Sequence, residues 1–203
     1  MASLLQIAAP DAIRGIRRIQ LFTIVWMTVE AGVSLLAAWK ARSPALLAFG
    51  GDSTIELMSA VVVLWAYRTS FPHEHTERRA ARVAGALLIV LTIYVAFSSV
   101  FSLLGHSEPS PSVLGIAILV AALVVMPWLA KEKRRLSAAT CSAALRADAA
   151  QSALCAYLSL IALLGLAVNA IWHVAWADPV AALLIIPLVL REGWLAIRGK
   201  PCC

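Results

Sequence analysis

Charge is scarce in this sequence, and hydrophilic loops are few. Only 14% of the 203 residues are Asp, Glu, Lys or Arg, against roughly 25% in ordinary globular proteins. With 62% hydrophobic residues and a mean hydropathy of +0.86, that scarcity excludes a water-soluble domain and leaves an integral membrane protein. The four cysteines, Cys141, Cys155, Cys202 and Cys203, have no C-x-x-C spacing, which argues against both a thiolate metal motif and a secreted disulfide framework. No nucleophile–base constellation is present and no sizeable loop could hold a soluble substrate, so an enzyme is not expected. Acids are outnumbered, giving a net charge of +6. The basic residues nevertheless sit in short clusters between apolar runs, without a basic stripe or interleaved surface aromatics. That placement argues against a nucleic-acid partner and makes them topology signals. The apolar run after Arg14, Arg17 and Arg18 is too long for the core of a cleavable signal and lacks a clear cleavage site.

What is present is a series of six apolar runs: Ile19–Trp39, Ala45–Tyr67, Val83–Leu104, Val113–Ala130, Ala147–Asn169 and Pro179–Ile197. Each meets the length of roughly 17–25 residues that crosses the hydrocarbon core. The expected fold is an all-α membrane protein of six transmembrane helices without a cytoplasmic C-terminal domain. A short basic N-terminus (1–18) precedes the six-span unit (19–198), and a Cys-Cys tail (199–203) follows it. Ser43 before Pro44 and Asp178 before Pro179 read as helix N-caps with proline at the first helical position. In a six-span arrangement the basic residues, Lys131, Lys133, Arg134 and Arg135 among them, fall on one side, and only Lys40 and Arg42 fall on the other. That bias predicts both termini in the cytoplasm. Trp39, Trp65, Tyr67, Trp128, Trp172, Trp176 and Trp194 lie near span ends as interfacial anchors. Pro187 is expected to kink the last helix.

Acids inside such runs are the functional signal. Asp52 and Glu56 stand four residues apart, one helical turn, and therefore share a face. A carboxylate deep in lipid costs roughly 2.5–3.5 kcal/mol or more, and two on one turn repel unless something neutralises them. Gly50 and Gly51 before them leave room for a close approach, either of a hydrated ion or of a neighbouring helix. Glu30, near the middle of the first span, is open to three roles: metal ligand, proton carrier, or partner of a neighbouring polar group. Cys141, Asp148 and Cys155 recur every seven residues, with Gln151 and Ser152 between them, as one polar stripe. Asp148 lies either in the membrane or in the first helical turn at the cytoplasmic interface. A faint repeat at an offset of 99 residues aligns Ala45, Leu46, Ala48 and Ser53 with Ala144, Leu145, Ala147 and Ser152; three-span halves so related would be inverted. His73 and His75, with Cys202 and Cys203, fall on the cytoplasmic side, either as metal-capturing groups or as solvated residues. Carboxylates, an amide and one thiol suit a borderline divalent ion such as Zn²⁺ better than alkali ions or Cu⁺.

Three stretches in register resemble the cation diffusion facilitator family of six-span metal exporters. Ser43 to Leu64 is similar to that family's second span, Ala144-Leu-Arg-Ala-Asp-Ala-Ala-Gln-Ser152 to its fifth, and Asp178-Pro-Val-Ala-Ala-Leu-Leu-Ile-Ile186 with Arg191-Glu192-Gly-Trp194 to its sixth. The resemblance implies a four-residue site made by two residues four apart on each of spans two and five. Carried over, these are Asp52 and Glu56 with Gln151 and Cys155, in place of the family's usual His and Asp, while Asp148 matches an additional acid. It further implies efflux of a divalent heavy-metal cation, zinc first and cadmium or cobalt next, exchanged for protons by alternating access. The metal is cargo, and no resident cofactor is expected. The partners implied are metal ions, protons, the lipid bilayer and a second copy of the chain, in the bacterial inner membrane. A membrane metal sensor or accessory subunit without transport is the alternative.

Overall fold

The computed structural model describes residues 10–66, 74–106, 108–140 and 143–198, all of them helix, turn or short connector. Six helices follow in order: α1 (Pro10–Ala41), α2 (Pro44–Ala66), α3 (Glu74–Phe101), α4 (Val113–Thr140), α5 (Ala143–Trp172) and α6 (Ala177–Arg198). Helices α1 to α5 contain segments long and apolar enough to cross a membrane. The main packing pairs are α1 with α2, α4 with α5, and α3 with α6; α2 also packs against α3, α5 and α6, so it runs through the middle of the bundle.

The short connectors are built from local chemistry. Arg42 adopts a left-handed φ of 50°, and the Ser43 N–H closes back on the Ala38 carbonyl at 3.1 Å, a helix stop of the Schellman type. Ser43 then caps α2, as the sequence predicts, by accepting the Leu46 N–H at 3.1 Å. Ser112 caps α4 in the same way through the Gly115 N–H, at 3.0 Å. Helix α3 ends in a π turn, Ser102–His106, where Gly105 takes φ 78°.

Asp178 behaves differently from the sequence expectation. It lies within the first turn of α6 and accepts from Ser43 Oγ at 2.5 Å and from the Ala45 N–H at 3.3 Å. Its carboxylate therefore caps the neighbouring helix α2, whose unpaired N–H groups favour an anion. Pro187 is accommodated within a continuous α6. The glycine pair of α2 is a packing notch: a Cβ on Gly50 would stand 3.0 Å from Ser34 Cβ of α1. Trp39, Trp65, Trp128, Trp172, Trp176 and Trp194 are all exposed on the bundle surface, as interfacial anchors require.

Several boundaries shift, α1 already beginning at Pro10 instead of Ile19. Helix α3 begins at Glu74, placing the His75 backbone in a helical first turn instead of a loop. Helix α4 continues ten residues beyond Ala130 to Thr140. Tyr67, His73, Cys141, Cys202 and Cys203 lie outside the described residues, as does the side chain of His75.

Candidate functional site

Helix periodicity lines up polar residues on three buried stripes. On α1, Ile16, Gln20, Thr23, Met27, Glu30 and Ser34 follow one another at steps of three or four residues, and all are fully buried. Helix α2 contributes Asp52, Ser53 and Glu56, and α5 contributes Asp148, Ser152 and Cys155, again all buried. Contacts between α2 and α5 run in opposite order along the two chains. Ser53 Oγ lies 4.0 Å from Cys155 Sγ, whereas Glu56, one turn later, accepts a short hydrogen bond from Ser152 Oγ, one turn earlier. The two helices are therefore antiparallel at the site, and the two serines aligned by the 99-residue offset each serve an acid.

One half of the cluster surrounds Glu30. Trp26 Nε1, four residues earlier on the same helix, donates to Oε2 at 2.6 Å. Ser53 Oγ donates to Oε1 at 2.7 Å, and the Cys155 thiol approaches the same oxygen at 3.5 Å. Ser34, one turn on, instead donates to the Glu30 backbone carbonyl at 2.6 Å. Of the three roles left open by sequence, partnership with neighbouring polar groups is the one directly visible.

The other half surrounds Lys133 of α4. Its side chain is fully buried, and Nζ lies 2.9 Å from Asp148 Oδ2 and 3.4 Å from Glu56 Oε1. It also donates to Ser152 Oγ at 2.8 Å. Gln20 Nε2 donates to the same Asp148 oxygen at 2.8 Å. Asp148 is thus enclosed by a cation, an amide and the bundle. Lys133, Gln20 and Trp26 are the participants that the sequence reading missed. The signal for Lys133 is its phase: Leu119, Ala122, Met126, Leu129, Lys133 and Ser137 form the buried stripe of α4.

Of the five candidate ligands, Asp52, Glu56, Asp148 and Cys155 share this interior, whereas Gln151 is half-buried at its edge. The Cys155 thiol lies within electrostatic reach of Glu30, Glu56 and Asp52. In this conformation no three His, Cys, Asp or Glu side chains among the described residues converge into a ready coordination shell. The ammonium of Lys133 stands between Glu56 and Asp148. Four buried carboxylates, Glu30, Asp52, Glu56 and Asp148, share the bundle centre with one buried ammonium among the described residues. Carboxylates gathered in a low-dielectric interior draw positive charge, which protons or a cation can supply.

Comparison with known proteins gives a consistent likeness. Residues 21–199 match the cation efflux transmembrane domain. The chain is 27% identical over 183 residues to the manganese efflux system protein MneS of Bacillus subtilis (strain 168), covering 86% of this chain and 63% of that protein. It is 28% identical over 176 residues to an uncharacterized transporter of Synechocystis sp., covering 82% of this chain and 57% of the other. The chain thus spans less than two thirds of the length of these relatives.

Proposed function

The chain belongs to the cation efflux transmembrane domain family, and from that premise we propose that it exports a divalent metal cation from the cytoplasm in exchange for protons, by alternating access between α2 and α5. The observation that carries this reading is the group of four buried carboxylates with a single ammonium. Such a group draws added positive charge, and either metal or protons can supply it. Metal ligation requires deprotonated carboxylates, so the two kinds of cargo exclude one another, which is the condition for antiport. Asp52 and Glu56 are the principal ligands, and Asp148 joins them from the antiparallel helix. Cys155 and Gln151 complete the set, and Glu30 serves as accessory ligand or proton carrier.

The sequence favoured zinc. The buried donors, however, are mostly carboxylate oxygens, and the one thiol already leans on Glu30. Oxygen donors suit Mn²⁺ better than thiolate-preferring ions, and a relative carries manganese efflux in its name. We therefore place Mn²⁺ ahead of Zn²⁺, with Cd²⁺ and Co²⁺ behind. The chain acts as a homodimer in the bacterial inner membrane with both termini cytoplasmic. Residues 19–198 form the transport unit, flanked by the basic N-terminus (1–18) and the Cys-Cys tail (199–203). His73, His75, Cys202 and Cys203 collect metal on the cytoplasmic side. The test is flux into proteoliposomes containing a metal-responsive dye, run with Mn²⁺ and Zn²⁺ and with an imposed pH gradient. Metal-dependent flux driven by protons is expected. Metal binding without flux would give a membrane sensor or accessory subunit instead.

A further inference from the structure

Lys133 belongs by sequence to a run of basic residues, Lys131 to Arg135, of the kind that stays solvated at a membrane surface. Instead its side chain is buried and its ammonium is ringed by oxygen. An ammonium has three N–H donors, and Asp148 Oδ2, Glu56 Oε1 and Ser152 Oγ, at 2.9, 3.4 and 2.8 Å, match all three. The acceptors that remain are left over: Glu56 Oε2, Asp148 Oδ1 and Gln20 Oε1 are buried without a hydrogen-bond partner among the described residues. Buried acceptors are rarely unsatisfied, and each instance calls for a reason. Here the reason is stoichiometric, because this group of oxygens offers more acceptors than one amine can serve. Two carboxylates with leftover oxygens, an amide carbonyl and a hydroxyl are hard donors of the type taken by a divalent cation.

We propose that Lys133 is a tethered competitor for the transported ion, a specificity-determining residue that holds Glu56 of α2 to Asp148 of α5 until a divalent cation displaces its ammonium. This inference rests on the transport reading above. Charge sets the selection. One ammonium neutralises only half of a facing carboxylate pair, whereas a divalent ion at the same place neutralises both and engages the unused oxygens. A monovalent ion brings no more charge than the amine and must displace a group held at high effective concentration by its own chain. Lys133 therefore weakens binding of every cation, but disfavours Na⁺ and K⁺ far more than a divalent metal. Arrival of the metal also releases the links from α4 to α2 and α5, so helix movement is coupled to occupancy.

The test uses the full chain in detergent at neutral pH, with Mn²⁺ and Zn²⁺ as probes in calorimetric titrations. Titrations are run in K⁺ and in choline at matched ionic strength. Lys133→Met keeps the bulk of the side chain and removes the charge. It is expected to bind Mn²⁺ about tenfold tighter or more and to become sensitive to K⁺, while the wild type is indifferent to the exchange of K⁺ for choline. Unchanged or weaker Mn²⁺ binding by folded Lys133→Met overturns the proposal. If that variant does not fold, the wild-type protein decides. Acylation of Lys133 by a membrane-permeant amine reagent, followed by mass spectrometry, should accelerate about tenfold or more in saturating Mn²⁺, and an unchanged rate overturns the proposal. A wild-type protein that binds neither metal would remove the transport reading itself. Binding by the wild type without either Lys133 effect would remove only the tethered competitor.

Discussion

Lys133 Nζ and Asp148 Oδ2 meet at 2.9 Å with neither side chain exposed, joining α4 to α5 through a buried ion pair. Burying two charges gives little net stability, but removing one partner leaves the other uncompensated, at a cost of roughly 3–5 kcal/mol. Asp148→Ala should lower unfolding stability in mild detergent by less than that, because Glu56 still faces the Lys133 ammonium at 3.4 Å, and Asp148→Asn by less again, since an amide still accepts a hydrogen bond. Equal stability of Asp148→Ala and wild type in denaturant titrations would mean that the pair does not form in the protein.

Trp26 and Glu30 form the second fixed relationship. The indole N–H donates to Oε2 at 2.6 Å, and a side-chain hydrogen bond contributes about 0.5–1.5 kcal/mol net. Trp26→Phe keeps most of the ring and loses the donor, so thermal unfolding should show a loss of that size. The loss should shrink when the change is made on a Glu30→Ala background, because the acceptor is then gone. Equal effects on both backgrounds would show that the tryptophan acts by packing alone.

Close approach of α5 and α6 depends on Gly165. A Cβ there would lie 2.5 Å from Ala181 Cβ and 3.2 Å from the Ala177 carbonyl oxygen. Neither atom belongs to a flexible side chain that could swing away. Gly165→Ala should cost roughly 1–3 kcal/mol by overpacking, and Ala181→Gly should restore part of it. A neutral Gly165→Ala would mean that α6 sits farther from α5 than described.

Much of this organisation is legible in the sequence because membranes impose simple rules. Asp52, Glu56 and Glu30 stand out as acids in apolar runs, and the Ser43-Pro44 cap is readable from local chemistry. Asp148 could not be placed, since its depth depends on where α5 starts and on which cation faces it. Lys133 stayed hidden for a related reason. Its neighbours Lys131, Arg134 and Arg135 look like a positive cluster outside the membrane, and only the continuation of α4 beyond Ala130 turns one member of that cluster inward. Asp178 shows the same limit in smaller form: a helix-start residue can cap a neighbouring helix, and only tertiary packing selects which one. Trp26 reads from sequence as one more apolar residue, although its spacing of four from Glu30 carries the hydrogen bond.

Proton–metal competition at shared carboxylates has a sign that can be checked. Acidification protonates the acids and should weaken Mn²⁺ binding, and metal binding at fixed pH should release protons. Calorimetry in buffers of different ionisation enthalpy reads that release directly. Binding that is independent of pH, with no proton release, would remove the basis for exchange.

The most direct measurement of the central claim is metal flux in proteoliposomes for the wild type and for Asp52→Ala, compared at equal protein incorporation. The account predicts Mn²⁺ or Zn²⁺ flux in the wild type under a pH gradient and none above empty liposomes in Asp52→Ala, with the variant inserted normally. Undiminished flux through Asp52→Ala would contradict it, because the buried acids of α2 would then have no part in carrying the ion.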